Sequence, residues 1–257
     1  MIRNFISLLA VLSGSLLAND ADSTQESALN SLFNSNRSVR EKTLKDLRAS
    51  QKAVALLPRL IEKMADDNWA TRYRAVEALS CFDHVGDNVI TALTELASIQ
   101  VPKEDDIDSS GGLSSLTIDE LGPNAKKRPV KILALQTLVR LSPQSEQSLE
   151  LVIRASDDQE KKMREVGIKL LNKIPTSVLV LGKLESLFDD TDRGIKRLAV
   201  DALLMHSKRI KTLKNADESV VRSLIHALST AITYDQNDTA TKAELENLKA
   251  EMQQNDR

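Results

Sequence analysis

Between Leu56 and Phe82 the chain reads LLPRLIEKMADDNWATRYRAVEALSCF, and its apolar positions form two runs with helical spacing. In the first, Leu56, Leu57, Leu60, Ile61 and Met64 fall at i, i+1, i+4, i+5 and i+8, which is one face of a helix. The second runs from Thr71 through Ala75, Val76, Ala78 and Leu79 to Phe82, with Tyr73, Glu77 and Ser80 on the other side. Between them, Asp66, Asp67 and Asn68 offer oxygen acceptors to the free N–H groups that open a helix, so one helix stops there and Trp69 begins the next. The pattern predicts a helical hairpin whose two apolar stripes must both be covered by neighbours.

The hairpin recurs. Aligned on the small mid-helix residue Ala75, its copies place Thr43, Ala134, Gly167 and Ala199 in the same column, at intervals of 32, 59, 33 and 32 residues. Periods of about 33 to 47 residues per helix pair mark stacked helical repeats. The long interval holds one period and an insertion. In a second column, six residues separate Asn34 from Arg40, Asp66 from Arg72, Asp158 from Arg164 and Asp190 from Lys196. An acid or amide in the turn and a cation in the following helix are expected to bond each other and the turns of adjacent repeats, as a structural ladder without chemistry of its own.

Several features make the chain resemble the HEAT-repeat family, including the short bacterial repeats named after phycobilisome lyases. They are the turn Asp66 with Arg72, the pair Val39-Arg40, and the runs Ala75-Val76-Glu77-Ala78-Leu79 and Ala199-Val200-Asp201-Ala202-Leu203. The resemblance covers about residues 29–206. It departs from the family in the third copy, where Ala125 stands at the turn position while Lys131 keeps the cation. It implies an all-α, armadillo-type fold, a right-handed α-α superhelix (HEAT-like solenoid) of about five to six helical hairpins.

Further stripes complete this reading. Val89, Ile90, Leu93, Leu96 and Ala97 mark one helix; a second is expected to start near Pro129 and to end about Leu141. Ser145–Ser156 with Lys161–Ile174, and Ser177–Phe188 with Arg193–His206, are the fourth and fifth pairs. Glu218–Tyr234 is strongly amphipathic, and about 239–254 carries a narrow stripe suited to a polar capping helix. Between the first two of these helices, about 101–127 reads as an inserted loop, with the acids Glu104, Asp105, Asp106 and Asp108, the pair Gly111-Gly112 and the turn Gly122-Pro123. Thr117 and Glu120 fit a capping box within it.

Residues 1–18 differ from the rest: Arg3, then an apolar run of roughly 13 residues ending at a small residue, Ala18, the pattern of a secretory signal peptide. The run is shorter than the roughly 20 residues of a membrane-spanning helix. The expectation is a periplasmic or secreted protein whose residues 19–257 form a single repeat domain. If uncleaved, the same segment would be an inner-membrane anchor and the chain's only membrane contact.

Composition narrows the function. Hydrophobic residues make up 41% and aromatics only 3%, with 8 Gly and 6 Pro, which suits Leu- and Ala-rich helices better than strands. A formal net charge of −2 gives no reason to expect nucleic acid. The single cysteine, Cys81, cannot form an internal disulfide and reads as a packing residue. The three His residues, His84, His206 and His226, are each followed by an uncharged residue, so the His-Glu motif of HEAT-repeat iron hydroxylases is missing. Zinc, nucleophile-elbow and phosphate-loop motifs are missing too. The reading is therefore of a protein that is not an enzyme, with no cofactor, no metal and no small-molecule substrate. The Asp pairs at Asp66, Asp157 and Asp189 are turn caps.

In the HEAT family the second helices line the concave surface. The corresponding outward columns here are Glu41, Tyr73, Ile132, Glu165 and Arg197, then Lys45, Glu77, Gln136, Lys169 and Asp201; the signs of charge alternate. Trp69, the only tryptophan, stands one helical turn before Tyr73. The expected binding patch for a protein or peptide comprises Trp69, Tyr73, Glu77, Ile132, Gln136 and Lys169. Two other readings stay open: a bilin-lyase-like enzyme or lyase accessory, and a purely structural envelope component.

Overall fold

A computed structural model of the chain describes residues 23, 25–49, 51–99, 123–213, 217–234 and 239–255. Among them all regular structure is helical. The elements are α1 over 25–32, α2 Arg37–Ala49, a 3-10 turn Gln51–Leu56, α3 Leu57–Met64, α4 Trp69–Leu79 and α5 Asp87–Ser98. Then follow α6 Pro123–Leu141, α7 Glu146–Ser156, α8 Lys161–Leu171, α9 Val178–Ser186, α10 Arg193–Thr212, α11 Glu218–Tyr234 and α12 Thr239–Asn255. The signal-peptide segment 1–18, the acidic cluster at 104–108 and the capping box of Thr117 and Glu120 lie outside the described residues. The chain separates into two compact units, residues 1–96 with 121–137, and 97–120 with 138–257.

In the first unit, α3 and α4 pair as a hairpin. Asn68 caps α4 by accepting the Ala70 N–H at 2.8 Å, which fixes where the second helix restarts. Leu60 is buried from α3, and Ala75, Val76, Ala78 and Leu79 are fully buried from α4, so the two predicted stripes meet. Ile61 is only half-buried, at the edge of its stripe, and Phe82 is buried from the turn beyond α4 rather than from the helix. Arg74 reaches back to donate to the carbonyl of Phe33 at 2.8 Å, tying α4 to the turn after α1.

The second unit shows the stacking most fully. The hairpin α7–α8 closes on itself, α8 packs on α10, α9 on α11, and α10 and α11 both on α12. First helices therefore stack on first helices and second on second, the arrangement of an α-solenoid. The backbones come close at Gly167 on α8, where a Cβ would stand 2.4 Å from the backbone nitrogen of Ser156 on α7. That explains the small-residue column: Ala75, Ala134 and Ala199 are likewise completely buried. The last helix buries the narrow stripe expected of it through Leu245 and Leu248, and Thr241 is buried as well.

One prediction needs correction. The helix expected to begin near Pro129 begins at Pro123, so 123–127 are helical, the loop assigned to 101–127 stops short of 123, and Ala125 lies inside the helix rather than in a turn. Pro123 takes the first-turn place that was given to Pro129, because its fixed φ suits the start of a helix and its missing N–H costs nothing there. Pro129 instead sits within α6, which runs on at the loss of one backbone hydrogen bond.

Candidate functional site

The turns are built alike from the same few atoms. In each, the Asp or Asn side chain folds back to accept the N–H two residues on: Asn34 from Asn36 at 2.8 Å, Asp66 from Asn68 at 2.9 Å, Asp158 from Glu160 at 2.9 Å and Asp190 from Asp192 at 2.7 Å. With the side-chain oxygen so engaged, the cation six residues later turns to backbone. Arg40 donates to the carbonyls of Asn34 and Ser35, Arg72 to those of Asp66 and Asp67, and Arg164 to those of Asp158 and Gln159, all between 2.7 and 3.1 Å. In these three repeats the expected pairing of turn residue and cation therefore gives way to cation to carbonyl. Between repeats the charged pairing does occur: Arg164 Nε lies 2.8 Å from Asp190 Oδ2, Lys161 Nζ 2.9 Å from Asp192 Oδ2, and Lys183 pairs with Asp157. The Lys161 bond holds the Asp192 carboxyl below the usual carboxylate range, and the Asp192 bond raises the Lys161 ammonium. Sequence reasoning missed Lys161, Lys183 and Asp192, whose partners stand in another repeat 26 or more positions away.

The binding candidates fall on three helices. Trp69 opens α4 and is half-buried; Tyr73 and Glu77 follow at one-turn intervals, also half-buried. Burial raises the Tyr73 phenol above its ordinary value, and the Glu77 carboxylate adds to the rise. Ile132, half-buried, and Gln136, exposed, sit one turn apart on α6, in the same unit as α4. Lys169 is exposed on α8, in the second unit. The structure thus sets Trp69, Tyr73 and Glu77 along one helical face, and Ile132 with Gln136 along another. Cys81, in the turn after α4, is half-buried with Sγ 3.7 Å from the Glu77 carbonyl.

One polar group that the motif reading passed over is central to the second unit. His206 on α10 is completely buried, with Nδ1 2.7 Å from the Thr176 hydroxyl. Its pKa is pushed down to about 4, chiefly by burial and also by the Arg209 charge, against the opposing pull of the Leu171 carbonyl. The signal was present in the sequence, since His206 lies between Leu203 and Ile210 at helical spacing. Among the described residues, no three His, Cys, Asp or Glu side chains gather as a metal site requires, and no helix is long and apolar enough to cross a membrane.

No protein-family model matches the chain, and no curated protein matches it. Solved structures with similarity include a designed armadillo repeat protein in complex with the peptide (KR)4, at 13% identity and TM-score 0.45, covering 88% of this chain and 98% of that one. An engineered protein matches at 11% identity and TM-score 0.44, covering 90% and 97%. The complex of CpcE and CpcF of phycocyanin lyase from Nostoc sp. PCC7120 matches at 14% identity and TM-score 0.37, covering 90% of this chain and 83% of that one. The repeat character of the fold rests on the chain's own hairpins: α-helical pairs with a common turn, a common small-residue column and stacked like helices.

Proposed function

We propose that the chain is an exported, non-catalytic scaffold of short bacterial HEAT-type repeats that binds another protein or peptide along its second helices. The observation that carries this reading is the Trp69–Tyr73–Glu77 strip of α4. The core stripe of that helix is fully consumed by packing, yet its two aromatic side chains are left half-accessible at adjacent turns. Large, stiff, amphipathic side chains of this kind supply most of the energy at protein interfaces, and their truncation costs about 2 kcal/mol or more. The alternating charges of the neighbouring columns favour a partner read by shape and local contacts over a polyanion. Residues 1–18 would direct export, giving a mature N-terminus at Asn19.

The test is affinity capture from cell-envelope extract with the wild-type chain, Trp69→Ala and Tyr73→Ala, each checked for unchanged circular dichroism. A partner retained by the wild type should bind Trp69→Ala about 30-fold more weakly. An identical set of captured proteins for all three baits would remove the strip from consideration.

A further inference from the structure

We propose that the joint between the fourth and fifth hairpins is an acid-sensitive latch, in which neutral His206 holds the connection 172–177 onto α10 and protonated His206 releases it.

The connection links the end of α8 to the start of α9, and α10 grips it from two residues within one turn of each other. His206 Nδ1 meets the Thr176 hydroxyl at 2.7 Å, and Arg209 donates to the carbonyls of Asn172 and Ile174, the latter at 3.4 Å. Ile174, within the connection, is buried. Arg209 cannot swing away from the imidazole without giving up those carbonyls, so a proton on His206 places a second cation beside a first that is fixed. The other ring nitrogen, Nε2, is buried without a hydrogen-bond partner, as is the Asn172 side-chain oxygen in the same joint. Added to a sealed ring, a proton meets desolvation and a like charge, which together outweigh the hydrogen bond that the Leu171 carbonyl offers the cation.

Carboxylates from the surrounding elements do not offset this. Glu185 of α9 is taken by Thr230 and His226, Asp190 by Arg164, Glu218 of α11 by Arg222, and Glu244 and Glu251 of α12 by Lys208 and Lys211. The cations of α8 that are paired in the turns, Lys161 and Arg164, only add to the positive field. Among charged side chains, Arg209 is the one whose field lowers the ring's pKa.

The sign follows from linkage. Closed, the ring titrates at about 4; opened to water it regains an ordinary value near 6.5. The opened state therefore takes up the extra proton between those values, and closure is fully favoured only above pH 6.5. At pH 5 the opening equilibrium should stand about 20-fold above its value at pH 7.

Hydrogen exchange of the full chain measures this directly. The amides of Asn172, Lys173 and Ile174, bonded to Ile168, Leu170 and Leu171, are followed at pH 7 and pH 5 and corrected for intrinsic exchange. The expected result is an approximately 20-fold rise in their opening for the wild type and less than threefold for His206→Phe, which keeps every carboxylate. An equal rise in both, or no rise in the wild type, overturns the latch. Should His206→Phe fail to fold, the imidazole is titrated by NMR in the wild type: a midpoint below 5 supports the proposal, and one near 6.5 contradicts it.

Discussion

Arg164 reaches from the turn of one hairpin to Asp190 in the turn of the next, with Nε 2.8 Å from Oδ2 and the two side chains only 15% and 10% exposed. The same guanidinium holds the carbonyls of Asp158 and Gln159, so one side chain closes its own turn and fastens its neighbour's. Removing one partner of a largely buried pair leaves an uncompensated charge. Asp190→Leu should therefore cost about 3 kcal/mol. Arg164→Met should cost a further 1 to 2 kcal/mol or so, since two carbonyl bonds go as well. By contrast, the pair Arg37–Glu41 is 83% and 59% exposed, and Arg37→Ala should change stability by less than about 0.5 kcal/mol. Urea denaturation of the three variants gives the ranking, and equal effects would show that the Arg164 pair is no more than surface ornament.

Gly167 and Gly182 are predicted to respond oppositely to alanine. At Gly167 the new methyl would meet the Ser156 nitrogen at 2.4 Å and the Ser156 Cα at 2.7 Å, and backbone cannot rotate aside as a side chain can. The helices α7 and α8 must separate, at about 1 to 3 kcal/mol. At Gly182, inside α9, nothing lies within 4 Å of the added carbon, so alanine should stabilise by about 0.5 to 1 kcal/mol. Melting temperatures of the two variants should fall on either side of the wild type.

Asn68 is predicted to matter through a single hydrogen bond. Its side chain caps α4 at the Ala70 N–H, and Asn68→Ala should cost about 1 kcal/mol, whereas Asn68→Asp should be nearly neutral. If the alanine variant unfolds at the wild-type urea midpoint, the restart of the second helix is set by packing and not by its cap.

How far the sequence reveals this structure depends on the range of each interaction. Apolar spacing identified the stripe from Leu57 to Met64, the restart at Trp69 and the small column at Ala75, Gly167 and Ala199, because those patterns repeat within a few turns. The six-residue spacing of Asp66 and Arg72 marked the turn correctly but not its bonding, since a carboxylate that folds onto its own backbone leaves the arginine to the carbonyls. Pro129 misplaced a helix start because Pro123, six residues earlier, obeys the same first-turn rule. The joint of His206 with Thr176 and Arg209 with Asn172 could not be anticipated, as its partners lie 30 and 37 positions apart and no local pattern links them. For the candidate surface, the sequence set Trp69 and Tyr73 on one helical face, and the structure adds that both are half-buried and that Tyr73 feels Glu77.

The claim that α4 presents a binding face is tested most directly by site-specific photo-crosslinking in cells. A photoreactive phenylalanine analogue is placed at Tyr73, and in parallel at Glu62, which is exposed on α3. A discrete adduct of defined mass at position 73, lost when Trp69→Ala is added and missing at position 62, is the predicted result. No adduct at position 73, or the same adduct from both positions, would contradict it.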